Sequence, residues 1–200
     1  MNYKIIGLVL VGSILLIGIF FIDSKSITGN IIFNQEETII VPIKVHVVRD
    51  TSHQYTSYRD RDNVIKTIGK ANEIWSQAGI YFQIEEMVTT DLQFEDIPNA
   101  INSEYSGLIR NKNFDNSKIN IFFTQSLNNI NGLALMGINS ALIADYTTVN
   151  DYRATSHEFG HLLGLRHVEP SDRLMARGKN GEILDDWEIK IARENALRLV

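Results

Sequence analysis

The sequence predicts an α+β domain with a twisted, mixed sheet of about five strands, two main helices and a further C-terminal helix. Three observations support this class. Short segments rich in β-branched residues are bounded by Gly, Pro or Asn, which is typical of strands. Two longer stretches have the spacing and the end signals of helices. The predicted order is strand, helix, four strands and then helices, without the regular alternation of a repeated βαβ unit.

Composition limits the function classes that need to be considered. The chain has 200 residues, of which 44% are hydrophobic and 22% charged, so one domain with a substantial core is expected. The net charge of -5, with no basic tract, argues against a nucleic-acid partner. There is no cysteine, which excludes disulfides, thiolate metal sites and cysteine nucleophiles. A bound metal therefore requires His, Asp or Glu ligands.

An apolar segment at residues 5–22 dominates the N-terminal part of the sequence. As a helix it would be about 27 Å long, close to the hydrocarbon thickness of a bilayer. Its length favours an uncleaved transmembrane signal anchor at residues 1–22, followed by a polar tether at 23–38 and a folded domain at 39–200. That domain is then expected on the extracytoplasmic side of the membrane. The alternative is secretion after cleavage of a signal peptide, for which Ser24-Lys25-Ser26 is a poor cleavage site.

The folded region contains a clear helix and several strand candidates. The helix is expected at 60–79, where Asp60 or Asp62 can cap its start and Gly79 can end it. Its residue Trp75 is expected in the core, as is Trp187 near the C-terminus. The strand candidates are 39–48, 81–88, 118–124, 132–137 and 141–144. The dense apolar run within 118–124 predicts a central strand buried on both faces.

The segment with the clearest chemistry is HEFGHLLGLRH at residues 157–167. His157 and His161 are four residues apart, so on a helix both imidazoles lie on one face and can bind one metal ion. Glu158 lies beside the first ligand and is placed to deprotonate water without binding the metal itself. The non-functional alternative is an amphipathic helix in which these histidines occur by chance.

The third ligand requires a break in this helix. His167 is six residues beyond His161 and would point away if the helix continued. Gly164 can adopt a left-handed conformation, which ends the helix and returns the chain toward the metal. Three histidines with one open position are typical of a single catalytic zinc ion. A different metallohydrolase, with a third ligand from a downstream carboxylate, stays open as an alternative; the candidates are Glu169, Glu182 and Glu188.

The pattern HExxHxxGxxH resembles the active-site motif of the metzincin clan of zinc endopeptidases. The resemblance implies a metzincin-like zincin fold with a tight turn beneath the metal that carries a methionine. Met175 lies eight residues past His167, and this spacing is similar to that of the matrixin branch. The segment that begins at Asp185 resembles the C-terminal helix of matrixins. The first strand looks more like the pappalysin branch, so the subfamily is left open.

The clan resemblance implies the function of a zinc-dependent endopeptidase with Glu158 as general base. It also implies that a protein or peptide substrate lies extended along an edge strand. The candidate for that strand comprises Gly132, Leu133, Ala134 and Leu135. A catalytically silent, zinc-stabilised module that binds peptides at the membrane surface is the alternative. The oligomeric state is not predicted.

Overall fold

The structure, a computed structural model, describes residues 37–200. The predicted anchor at 1–22 and nearly all of the tether at 23–38 lie outside the described residues, so both stay predictions. Within residues 37–200, no helix is both long and apolar enough to cross a bilayer.

Five strands form one mixed sheet, which confirms the predicted class. In chain order they are β1 (Ile39–Asp50), β2 (Ile80–Leu92), β3 (Ile119–Thr124), β4 (Gly132–Leu135) and β5 (Ser140–Ala144). Their order across the sheet is β2-β1-β3-β5-β4. The first four strands in this order are parallel, whereas β4 pairs antiparallel with β5 and forms one edge.

Five α-helices of residues 37–200 accompany the sheet. They are α1 (Arg61–Trp75), α2 (Asp96–Ile101), α3 (Ser106–Arg110), α4 (Asp151–Leu162) and α5 (Asp186–Ala196). The helix predicted at 60–79 is confirmed: the Asp60 carboxylate accepts a hydrogen bond from the Asn63 N–H at 2.8 Å, and Gly79 has φ +59°. The prediction missed α2 and α3, because helices of five or six residues are too short to show an apolar period.

Both faces of the sheet are covered by apolar side chains. One face packs against α1, α4 and α5, and the other against the segment that contains α2 and α3. All six residues of β3 are buried, which confirms the predicted two-sided burial. Trp75 is fully buried as predicted, and its indole N–H donates to the Ser156 carbonyl of α4 at 3.3 Å.

The prediction that Trp187 belongs to the core is wrong, because its side chain is 47% exposed. It lies in the first turn of α5, whose buried residues are Glu188, Ala192 and Ala196. These three positions are four residues apart and form one face of the helix. Trp187 lies off that face and points outward.

His46 of β1 is fully buried in the middle of the sheet and is held by two side chains. Its ring nitrogens lie 2.8 Å from the Thr90 hydroxyl and 3.0 Å from the Asn120 amide oxygen, and the ring stacks on Phe122. Because the amide oxygen can only accept, Nε2 carries the proton and Nδ1 accepts from Thr90. Burial lowers the pKa of His46 to about 4 from its ordinary 6.5, although the bond to Asn120 opposes the shift.

The depressed pKa of His46 predicts a loss of stability in acid. The imidazole binds a proton near pH 6.5 in the unfolded chain but only near pH 4 in the folded chain. The stabilisation that neutral His46 gives to the folded state is therefore complete above pH 6.5 and is lost as pH falls toward 4. Within that window the free energy of unfolding falls by up to about 1.4 kcal/mol per pH unit. Urea unfolding in a chelating buffer, at pH 7 and pH 4.5, should show a smaller acid loss for His46→Gln than for the wild type. Equal losses in both proteins would contradict this.

Candidate metal centre

Three histidine side chains converge at the end of α4. His157 and His161 lie one turn apart on this helix, and His167 lies on the chain that follows it. The Nε2 atom of His167 is 3.1 Å from the Nε2 atom of each of the other two rings. The ligand atoms of all three lie within 4.8 Å of one another. The three histidines proposed from the sequence therefore share one small space.

The chain reverses at Gly164, which has φ +83°. The Gly164 N–H donates to the His161 carbonyl at 3.0 Å, and the Leu165 N–H donates to the Gly160 carbonyl at 2.9 Å. These two bonds define a Schellman motif, in which a left-handed residue ends the helix and satisfies its last carbonyls. A Cβ atom at position 164 would also lie 2.6 Å from the Asn195 side chain of α5. The turn therefore requires glycine for its dihedral angle, and a side chain there would also displace the Asn195 amide.

Backbone carbonyls orient the two helical imidazoles. His157 Nδ1 donates to the Leu174 carbonyl at 2.8 Å, and His161 Nδ1 donates to the Leu165 carbonyl at 2.9 Å. Each bond places the ring proton on Nδ1 and leaves the Nε2 lone pair directed into the shared space. His167 differs, because its Nδ1 atom accepts a hydrogen bond from Nε of Arg177 at 3.0 Å.

The donor set fits zinc. A tetrahedral ion with Zn–N distances of about 2.0–2.1 Å separates its nitrogens by about 3.3 Å, close to the observed 3.1 Å. Burial lowers the pKa of His157 to about 3 and that of His167 to about 4, so both rings are neutral near pH 7, as ligation requires. Among residues 37–200, these histidines form the one group of His, Asp or Glu side chains close enough to bind a metal ion.

The carboxylates considered as alternative third ligands lie elsewhere. Glu188 is buried in the capping box of α5, where it exchanges hydrogen bonds with Asp185 and pairs with Arg173. Neither Glu169 nor Glu182 belongs to the histidine cluster. The geometry therefore favours His167 as the third ligand.

Glu158 lies on α4 next to His157 and faces the edge strand β4. Burial raises the pKa of its carboxyl to about 7, against the opposing effects of the Ala134 N–H and the charge of Arg153. A Cβ atom at position 132 would lie 2.6 Å from Cγ of Glu158. Gly132 therefore allows the strand to approach Glu158 more closely than a strand with a side chain at that position could.

Met175 is fully buried beneath the cluster, in the turn that follows His167. A Cβ atom added to Gly160 of α4 would lie 2.4 Å from the sulfur of Met175. The methionine can therefore pack against the helix because residue 160 has no side chain. The Met175 carbonyl accepts a hydrogen bond from the Val168 N–H at 3.2 Å. This bond joins the methionine turn to the residue directly after His167.

Arg153, one turn before His157, is a positioning residue that the sequence reasoning missed. It is 2% exposed, and its guanidinium donates to the carbonyls of Leu174, Ala176 and Gly181. The first two residues flank Met175, and the Leu174 carbonyl also orients His157. An arginine on the buried side of a helix is a weak signal without the fold, since only the structure shows which carbonyls it meets.

A cavity of about 520 Å³ opens beside the cluster. Its walls include the three histidines, Glu158 and residues 132–134 of β4. The structure thus brings the proposed ligands, the proposed base and three of the four proposed substrate-strand residues to one groove. Leu135, the fourth, is buried in the core on the other side of the sheet.

Comparison with known protein families assigns the chain to one of them. Residues 61–168, which run from α1 to the residue after His167, match the metallo-peptidase family M12B, reprolysin-like. The chain belongs to this family. It is a zinc metallopeptidase, and the predicted clan is confirmed, although the matched family is reprolysin-like rather than the matrixin branch that the spacing to Met175 resembles. Comparison with curated proteins gave no match.

Solved structures with a similar fold include archaemetzincin from Methanopyrus kandleri. Its TM-score is 0.54 at 11% identity, over 79% of this chain and 96% of that one. Metalloproteinase-II from Bacteroides fragilis has a TM-score of 0.47 at 14% identity, over 80% of this chain and 55% of that one. A zinc-dependent peptidase from Methanocorpusculum labreanum has a TM-score of 0.43 at 11% identity, over 77% and 99%. The archaemetzincin match shows a shared fold.

The hydrogen bonds of Arg153 predict that its replacement weakens the metal centre of this M12B-like domain. In Arg153→Leu, three carbonyls lose a charged donor, and we expect a loss of about 3 kcal/mol or more in the free energy of unfolding. Because the Leu174 carbonyl also orients His157, zinc affinity should fall by about tenfold or more. Urea unfolding and competition with a zinc chelator measure the two effects. The control is Arg110→Leu on the exposed side of α3; equal behaviour of both variants would contradict the role of Arg153.

Proposed function

We propose that this chain is an endopeptidase that cleaves extended protein or peptide segments outside the cytoplasm, with Glu158 as its general base. The observation that carries the proposal is the position of Glu158. Its carboxyl group lines the same groove as the three histidines and adjoins the edge strand β4. A peptide in this groove would thus meet the base, the metal ligands and a free strand edge together.

The chemistry divides between the metal and the protein. A zinc ion held by His157, His161 and His167 would act as a Lewis acid, which lowers the pKa of water and polarises a peptide carbonyl. Glu158 takes the proton of the attacking water and then passes it to the leaving amine. Burial raises the pKa of this carboxyl above its ordinary value, which makes it a stronger base toward water. The buried Arg153 limits this rise in the pKa of Glu158.

The edge strand supports an extended substrate. β4 pairs with β5 on one side, and the other side of its backbone faces the groove. Alternate residues of an edge strand direct their N–H and C=O groups away from the sheet. Gly132 and Ala134 share this parity. The Ala134 N–H is bonded to Glu158, which leaves the Ala134 carbonyl and the backbone groups of Gly132 for a substrate. A substrate strand can therefore pair with β4 next to the base.

Replacement of the base tests the proposal directly. Glu158→Gln keeps the shape of the side chain but cannot accept the proton, so cleavage of a mixed peptide library should fall by about 100-fold or more. Zinc binding should persist in this variant and be lost in His167→Ala. New peptide termini are read by mass spectrometry and bound zinc by elemental analysis. Equal cleavage by the wild type and Glu158→Gln would refute the assignment, and zinc binding without cleavage by either would favour the peptide-binding module.

The location outside the cytoplasm is supported by the apolar segment 5–22. This segment is long enough to cross a bilayer as a helix, and it is followed by a polar stretch before the domain begins. The absence of cysteine is compatible with either side of a membrane. We therefore propose a membrane anchor that holds the peptidase domain on the extracytoplasmic face.

A fractionation experiment tests the anchor. The full chain should stay in the membrane pellet after an alkaline wash, and protease added outside intact cells should digest the C-terminal domain. Deletion of residues 5–22 should move the chain into the soluble cytoplasmic fraction. A soluble, secreted chain that lacks its N-terminal residues would show signal cleavage instead, and a wild-type chain in the cytoplasm would refute both locations.

A further inference from the structure

The charges along the groove are unevenly distributed. Glu158 is the one carboxylate among the described residues that line the cavity, and Arg153 and Arg177 are the two cations. Arg153 is buried and its guanidinium is committed to backbone carbonyls. Arg177 is exposed, and it forms no ion pair with any carboxylate of residues 37–200. The accessible positive side chain of the groove is therefore Arg177.

Arg177 contacts one of the three proposed metal ligands. Its Nε atom contacts Nδ1 of His167 at 3.0 Å. It follows Met175 by two residues and is adjacent to Gly178, which also lines the cavity. The Arg177 side chain therefore lies in the groove, in contact with the proposed third metal ligand.

The contact between Arg177 and His167 is compatible only with one tautomer of the imidazole. Nδ1 can accept from Arg177 only while the ring proton is on Nε2. When the Nε2 lone pair binds a metal ion, the neutral ring carries its proton on Nδ1. Two N–H groups would then face each other, so the contact becomes repulsive. With a metal ion on Nε2, His167 would offer Arg177 no acceptor, and the guanidinium would be available to another partner.

We propose that Arg177 is a specificity-determining residue that selects substrates with Asp or Glu beside the scissile bond. This inference rests on the proposed function and adds the substrate class. A guanidinium binds a carboxylate through two parallel hydrogen bonds, which gives both energy and orientation. The partly enclosed groove strengthens this pairing relative to open water. A basic side chain at the same substrate position meets a like charge.

The experiment compares closely matched peptides with the zinc-loaded full chain. Peptides that differ only by Asp against Asn, or Glu against Gln, beside the cleaved bond are tested for kcat/KM. The wild type should prefer the acid by about tenfold or more, the value of one charge-assisted hydrogen bond. Arg177→Lys should keep part of this preference, and Arg177→Gln should lose it. Arg177→Glu should reverse it in favour of Lys or Arg peptides.

Controls separate a local contact from other effects. Lys179→Glu makes a similar charge reversal at an exposed residue two positions away that does not line the cavity, and it should keep the acid preference. Zinc affinity, measured by chelator competition, should be unchanged or tighter in Arg177→Gln, whereas a loss would show that Arg177 holds His167 and would overturn the proposal. Cleavage without acid preference, or a preference that survives Arg177→Glu, overturns this inference alone. No cleavage by the wild type overturns the proposed function as well.

Discussion

The metal centre depends on the carbonyl oxygen of Leu174, which accepts hydrogen bonds from both His157 and Arg153. The bond from His157 selects the tautomer whose Nε2 lone pair is available to a metal. The bond from Arg153 holds the carbonyl itself, because the guanidinium is buried and fixed by two further carbonyls. Both donors lie one turn apart on α4, so the helix and the methionine turn are locked together at the ligand. A lysine could not replace the planar fork of donors that spans these carbonyls.

Glycines set the distances between the layers of the site. Gly160 lets Met175 lie against α4, and Gly132 lets the edge strand approach Glu158. In each case the added Cβ atom would meet a side chain at 2.6 Å or less, well inside van der Waals contact. Gly164 has a second role, because its φ of +83° ends the helix. The site is thus formed by close contacts of backbone with functional side chains, and a single methyl group at any of these positions disturbs it.

The sequence predicted those parts of the structure that depend on local chemistry. The helix at 60–79 was predictable from its capping aspartate and terminal glycine, and β3 from its uninterrupted apolar run. The grouping of His157, His161 and His167 was predictable because the four-residue and six-residue spacings have geometric meaning on a helix that ends at glycine. Partners distant in sequence were not predictable: Arg153 meets carbonyls 21 to 28 residues away. The prediction that Trp187 is buried was wrong for the same reason, because packing with distant residues decides which face of a short helix is buried.

The strand order explains why the edge strand and Glu158, the proposed base, are neighbours. A short loop at 145–150 joins β5 to α4, so the helix begins beside β5. β4 pairs antiparallel with that same strand on its outer side and ends the sheet, so no strand of residues 37–200 occupies its other edge. The helix α4 and the edge strand β4 therefore both adjoin β5 and both face the same groove. Glu158 then requires no long loop to reach the edge, since its place on α4 next to His157 already directs it there. The topology itself brings a free strand edge, a carboxylate and three imidazoles together.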